Sequence, residues 1–497
     1  MLLFRAAPVY LLIALSSTLF LSACKPDHKI SLTGSRPNIV FILADDLGWA
    51  DLPVYGNRFN EAPHLTKLAR EGIRFTNAYA ACPVCSPTRA SIMSGQYPAR
   101  VGITDFITGH WRPYEEVIVP KNRTQYLPEE IITMGECMKE AGYATGYFGK
   151  WHLGFEERHQ PWNQGFETAN VYQGGGFFNY ADRMSTPLGS EPGKVLSETL
   201  TDLSLDFIET NKEEPFFLFL AHYDVHVQLD ADSILIEKYL EKDEVDGYPC
   251  NAVYAAMVEH VDNSVGRILE KLDELGLAGN TLVVFFSDNG GLKSRFDQIP
   301  LLARSKQHIY EGDTLLYLAT SNTPLRAEKG TIYEGGIREP FIVRWPGKIT
   351  KGKVSDAIVS SVDFLPTFAE LAGIDLPDSQ VFDGLSLVSL LEGAEPDPER
   401  AIFWHYPVYH HDEPASAIRK GKWKLIHNLV NGQRYLYNLE TDIGETTDLS
   451  KSEQEIVLEL YHLLEQWRSD CGAEFPVPNP GFIPEGRYEW GKHPDRE

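Results

Sequence analysis

Cysteine is scarce in this chain, with Cys24, Cys82, Cys85, Cys137, Cys250 and Cys471 the six in 497 residues. That excludes a disulfide scaffold. Cys82 and Cys85 make one C-x-x-C pair, a spacing found in redox and zinc sites. No second such pair and no suitable histidine cluster accompanies it. Basic residues are also few: 45 Lys and Arg stand against 70 Asp and Glu, a formal charge of −25. Such a balance argues against a nucleic-acid partner. A polyanionic substrate would need local basic groups to overcome the general field. Internal repeats and low-complexity tracts are lacking.

The leader "MLLFRAAPVYLLIALSSTLFLSAC" is apolar, but too short and wrongly flanked for a lasting membrane span. It reads as a secretory signal over residues 1–23. Its end, "LSAC", is like that of a bacterial lipoprotein signal, with Cys24 lipidated as the mature N-terminus. Each buried methylene of such a lipid contributes roughly 0.8 kcal/mol, enough for acyl chains to tether a soluble domain. The expectation is an exported protein in the periplasm or at the cell surface, joined to a membrane by its lipid anchor only. In that setting Cys85, in "CSPTR", is a puzzle. Either it pairs with another cysteine, or its sulfur is converted into something else.

Four near-continuous apolar runs suit strands buried on both faces. "PNIVFILADDLGW" (Pro37 to Trp49) ends in two carboxylates, and "GYATGYFGKWHLG" (Gly142 to Gly154) in Lys and His. "PFFLFLAHYDVHVQL" (Pro215 to Leu229) ends in His222 and His226, and "TLVVFFSDNGG" (Thr281 to Gly291) in Asp-Asn-Gly. Between them run patterns of helical period such as Val253 to Leu277. The alternation predicts an α/β fold with a mixed, mostly parallel central sheet between helices. In such folds ligands gather beyond the carboxyl ends of the strands, so four polar endings point to one site. From about residue 395 short strands and the amphipathic helix Ser452 to Asp470 predict a small antiparallel sheet with one helix. The Pro- and Gly-rich tail from Phe475 is expected on the surface. The domains are therefore drawn as 36–394, catalytic, and 395–497, a C-terminal subdomain.

Asp45, Asp46, Asp288 and Asn289 offer only oxygen ligands, which suit a hard divalent cation such as Ca²⁺. Singly, Asp45 and Asp46 could cap a helix, and "SDNGG" could be a turn. Their joint place at strand ends favours a metal site.

Together, "CSPTRASIMSGQYPARVG", "GKWHLG", "SDNGG" and "EKGTIYEGGIREP" resemble the type I sulfatases of the alkaline-phosphatase-like superfamily. The resemblance runs in motif order from Arg36 to Glu497. The signature Cys-x-Pro-x-Arg is matched by Cys85, Pro87 and Arg89, with Thr88 where serine is commonest. The resemblance implies that a formylglycine-generating or equivalent maturation enzyme oxidises Cys85 to Cα-formylglycine (3-oxoalanine). The aldehyde hydrates to a diol: one hydroxyl binds metal and attacks sulfur, and the other expels sulfate by elimination. Asp45, Asp46, Asp288 and Asn289, with residue 85, would hold the Ca²⁺. Arg89 would brace residue 85 and the carboxylates, and Lys150 would counter developing charge. His152 would accept the proton in the elimination. His226 would protonate the leaving oxygen, with His222 its rival, and Lys329 would bind the sulfate group.

The implied reaction is hydrolysis of a sulfate ester on a sulfated saccharide. The C-terminal stretch resembles carbohydrate sulfatases, including the N-acetylgalactosamine group. A galactose-type sugar from an algal galactan or glycosaminoglycan is therefore expected. Selectivity would rest on His110, Trp111, Arg112, Tyr172 and His405, with His222 a further candidate contact. The stretch Leu292 to Thr320 looks like an insertion, either shaping the pocket rim or lying as a solvated loop. The alternatives are a phosphodiester or phosphonate ester hydrolase and, in another class, an inactive carbohydrate-binding homologue.

Overall fold

The computed structural model describes residues 31–490 except positions 110, 179, 190 and 296. Cys24 and His110 thus lie outside the described residues. Among the described residues no helix is long and apolar enough to cross a membrane.

The strands are β1 (Asn38–Ala44), β2 (Ile73–Tyr79), β3 (Val117–Ile118), β4 (Ala144–Lys150), β5 (Thr168–Tyr172), β6 (Phe216–Ala221) and β7 (Thr281–Ser287). They continue as β8 (Phe341–Arg344), β9 (Lys353–Ser360), β10 (Ala401–Tyr406), β11 (Ala415–Lys420), β12 (Trp423–Asn428), β13 (Arg434–Asn438) and β14 (Val477–Pro478). Eight of them form the central sheet in the order β5-β4-β6-β1-β7-β8-β2-β9. Its pairings are parallel except at β8, which runs antiparallel to both β7 and β2. The expected mixed, mostly parallel α/β sheet is therefore present.

The four apolar runs sit side by side as β4-β6-β1-β7. Every residue of β1, β6 and β7 is buried, because helices cover both faces. Val40 and Ile42 pack with the helix Ala252–Glu274 on one face, while Phe41 packs with Phe364–Ala372 on the other. Phe41 stacks on Phe219 of β6 at 4.8 Å, and burying each such ring contributes roughly 1.5–3 kcal/mol.

Gly149 sets the approach of β4 to β6. Its φ is 115°, and a Cβ there would stand 1.8 Å from the Ala221 carbonyl oxygen. Only glycine permits that contact, which brings Lys150 to the tip of β6.

The sheet β10-β11-β12-β13 is antiparallel throughout and is followed by the helix Gln454–Cys471, as expected. Trp404 of β10 anchors it to the main layer. Its ring meets Tyr79 at 5.3 Å and its Nε1 donates to the Ala80 carbonyl at 2.8 Å.

Candidate active site

Parallel neighbours end on the same side, so the tips of β4, β6, β1 and β7 converge. Lys150 is the last residue of β4; Asp45 and Asp46 follow β1, and Asp288 and Asn289 follow β7. The segment after β6 is tied to β1 by Asp45 N to Asp224 O (3.0 Å) and Val225 N to Asp45 O (2.7 Å). Asp46 and His152 both adopt φ 62°. Left-handed backbone is uncommon for such residues, and here two instances occur at one site.

Cys85 opens the helix Cys85–Ser94, all ten residues of which are buried. Its polar side chains are satisfied internally: Ser86 Oγ accepts from Ile107 N, and Ser91 Oγ meets Ser361 Oγ. A helix N-terminus favours developing negative charge at residue 85. Cys85 Sγ lies 3.2 Å from His152 Nδ1.

Beneath it lies a dense charge cluster. Arg89 reaches Asp288 Oδ2 at 2.7 and 2.8 Å and Asp45 at 3.6 Å. Lys150 Nζ is 2.5 Å from Asp45 Oδ2, and Lys329 Nζ is 2.6 and 2.8 Å from the two Asp46 oxygens. His226 Nε2 is 3.7 Å from Asp46 Oδ2. Burial pushes Asp45 and Asp46 up, but the cations outweigh it: Lys150 chiefly for Asp45, Lys329 chiefly for Asp46. Both stay below the usual carboxylate range. Asp288 goes the other way, to about 8, because burial and then Asp45 outweigh Arg89 and Lys150. Glu339 is fully buried behind them with neither oxygen hydrogen-bonded, and burial beside Asp288 and Asp46 keeps it neutral.

Two acceptors in this cluster, Asp45 Oδ1 and Asn289 Oδ1, are buried without a hydrogen-bond partner. Asn289 Nδ2 meanwhile donates to Asp46 Oδ1 at 2.8 Å, which turns its carbonyl oxygen into the cluster. Oxygen donors without partners beside the clustered side chains of Asp45, Asp46 and Asp288 fit a hard divalent cation. Asp45, Asp46 and His226 present ligand atoms within 4.8 Å of one another, so His226 stands beside the carboxylates while it also lines the cavity above them.

Above the cluster opens a cavity of about 830 Å³. Cys85, Lys150, His152, His226 and Lys329 all line it. Burial lowers His152 to about 3 and His226 to about 4, so both rings are neutral. Tyr172 lines the cavity, and so do Leu292, Arg295 and Asp297 of the stretch 292–320.

Several expected contacts sit elsewhere. His222 is fully buried, with Nε2 on Ser264 Oγ at 3.0 Å, and is absent from the lining. His405 is held between Ser416 Oγ and the Glu474 carbonyl, each at 2.8 Å, inside the antiparallel sheet. Arg112 is buried and paired with Glu115 at 3.3 Å, and Trp111 is half-buried outside the described lining. Strand alternation turns His405 inward, and the buried carboxylate holds Arg112; neither was visible in local sequence.

The cavity also has walls the sequence reading missed. Tyr223 carries the Lys150 ammonium 5.4 Å from its ring centre, and His411 Nδ1 meets the Lys329 carbonyl at 2.7 Å. Phe155, 70% exposed, and Trp490 complete the rim. No periodicity marks these positions. An isolated aromatic beside "GKWHLG" was the one usable signal, for Phe155.

Comparison with known proteins agrees with this geometry. The family model "Sulfatase" matches residues 37–374, and "N-sulphoglucosamine sulphohydrolase, C-terminal" matches 327–470. A sulfatase of Formosa agariphila is 31% identical, covering 87% of this chain and 88% of its own. N-acetylgalactosamine-6-sulfatase of Canis lupus familiaris is 32% identical over 78% of this chain and 71% of its own. The crystal structure of Ps i-CgsB in complex with k-i-k-neocarrahexaose superposes with TM-score 0.73 at 28% identity, covering 90% of this chain and 95% of that one. The chain belongs to the sulfatase family, hydrolases of sulfuric esters.

Proposed function

We propose that this sulfatase removes sulfate from a galactose-type sugar, with Cys85 matured to formylglycine and Ca²⁺ bound by Asp45, Asp46, Asp288 and Asn289. The observation that carries the reading is the set Cys85, His152, Lys150, Lys329 and His226 facing one cavity over paired carboxylates. The matured side chain would supply a hydrated aldehyde as nucleophile, and the cation would supply charge to lower that hydroxyl's pKa.

The chain's own groups do the rest. His152 Nε2 lies 2.5 Å from the Ile107 carbonyl and so carries the ring proton, leaving Nδ1 to accept one from residue 85. Lys150 and Lys329 are held fully charged: burial opposes this, but Asp45 and Asp46 respectively outweigh it. Each can oppose charge on the transferring group, where fixed charge matters most. His226 Nδ1 faces the Val227 carbonyl at 2.6 Å, which directs Nε2 into the site. An anionic sulfate ester beside it raises its pKa, the direction required of an acid for the leaving oxygen. The burial of His222 favours His226 in this role.

A sugar substrate is supported by the names of the relatives, an N-acetylgalactosamine-6-sulfatase and a carrageenan-oligosaccharide complex. The leader and Cys24 support export to the periplasm or cell surface under a lipid anchor. Residues 36–394 serve as catalytic domain and 395–497 as C-terminal subdomain in this reading. The test is sulfate release from a panel of defined sulfated oligosaccharides, using protein whose Cys85 peptide is shown by mass spectrometry to carry the aldehyde. Faster cleavage of phosphodiesters than of every sulfate ester would overturn it. An unmodified thiol and no turnover, with saccharide still bound, would favour the inactive binding homologue.

A further inference from the structure

The tail after the last helix is fastened along residues 113–118. β14 pairs with β3, Val477 opposite Ile118 and Pro478 opposite Val117. Asn479 N donates to the Glu116 carbonyl at 3.0 Å, and its side chain to the carbonyls of Pro113 (2.9 Å) and Glu115 (2.7 Å). Ile483 N donates to Tyr114 O at 3.2 Å, and Gly486 packs so closely on the Tyr114 ring that a Cβ would come within 2.9 Å of it. Arg487 pairs with Glu115 at 3.2 Å and Glu116 at 3.3 Å. Tyr488 and Trp490 lie against the guanidinium of Arg112, at 5.4 Å and 5.1 Å from their ring centres. Arg112 is itself fixed by Glu115 and by donation to the His410 carbonyl.

The outcome is that Trp490, 39% exposed, is a wall of the same cavity that Cys85 lines. A cavity of about 830 Å³ lies in the upper part of the roughly 300–1,000 Å³ range of ligand pockets. Phe155 gives the rim a second exposed aromatic.

We propose that the tail 475–490 builds a saccharide subsite. Trp490 offers its face to a pyranose ring next to the one that carries the sulfate, and Arg112 is the positioning residue that holds Trp490 there. The chemistry is that of stacking: an indole face matches the apolar C–H face of a sugar, and the guanidinium behind it locks the ring plane. The tail contributes no group to bond breaking. It selects for oligosaccharides over single sulfated sugars. This rests on the sulfated-sugar reading above.

The test is titration calorimetry of the full chain carrying Cys85→Ala, so that nothing is turned over. The probes are a sulfated galactan hexasaccharide and the matching monosaccharide sulfate. Trp490→Ala should lower the ratio of hexasaccharide to monosaccharide affinity about tenfold, as loss of an aromatic anchor does. Trp490→Phe should restore most of it. In the matured enzyme Arg112→Lys, which keeps the charge but loses the planar stack, should raise KM for the hexasaccharide about fivefold with kcat within about twofold. An unchanged affinity ratio in Trp490→Ala overturns the subsite while leaving the sugar reading intact. Failure of the parent protein to bind either saccharide overturns both.

Discussion

His152 Nδ1 lies 3.2 Å from Cys85 Sγ, while the Ile107 carbonyl holds the other nitrogen of the ring at 2.5 Å. The imidazole is thus locked in one tautomer, with its lone pair on residue 85. Burial first, then Lys150, keeps it neutral. Cys85→Ala should abolish sulfate release, a loss of about 10⁴-fold or more for removal of a nucleophile. His152→Ala should cost about 10²–10⁴-fold in kcat. Sulfate release is the measurement, with circular dichroism to show that both variants fold.

The partnerless oxygens of Asp45 and Asn289 predict cation dependence. Exhaustive chelation should remove most activity, and Ca²⁺ should restore it. Added Ca²⁺ at a hundred times its dissociation constant should stabilise the fold by about 2.7 kcal/mol. Asn289→Ala should shift the restoring concentration upward. Activity and melting that ignore the chelator would remove the cation from the account.

Lys329 and His226 act on opposite ends of the ester bond in this reading. Lys329→Ala should lower kcat/KM about 10²–10³-fold for every sulfate ester, because it removes fixed charge from the transferring group. His226→Ala should cost about 10²-fold with a sugar and much less with nitrophenyl sulfate, whose leaving group needs no proton. Equal losses on the two substrates would place the acid elsewhere.

His260 sits between two carboxylates below the segment after β6. Its Nε2 is 2.9 Å from Asp232 and its Nδ1 3.6 Å from Asp224. Burial lowers its pKa, but Asp224 and Asp232 outweigh that and lift it to about 9. A histidine with a raised folded-state pKa adds stability that is complete below about 6.5 and lost as pH rises through about 9. The shift corresponds to a few kcal/mol. Urea unfolding at pH 6 and 9.5 should show a larger fall for the native chain than for His260→Gln. Parallel falls would show that this ring does not titrate as described.

Much of the site was legible because each strand carries its chemistry at its own end. An apolar run followed by Asp-Asp, Lys-x-His or Asp-Asn-Gly is a local pattern, and the local pattern survives folding. Which residues of the stretch 292–320 reach the rim was not legible, because it carries no periodic pattern. His405 and Arg112 misled for a physical reason. A histidine in a strand and an arginine in a loop look alike whether they face ligand or core. A buried serine and carbonyl claim His405, and Glu115 claims Arg112.

By itself the sequence determined the strands, the helices between them and the order of the motifs, since each depends on neighbours a few positions apart. Tertiary structure decided the rest. It set β4, β6, β1 and β7 side by side, so that four separate endings became one cluster. It also carried Trp490 from the far end of the chain to the cavity, held over Arg112 by ion pairs and backbone bonds to residues 113–118. Contacts between segments so distant in the chain leave no periodic trace, because they follow from packing and charge rather than local backbone preference.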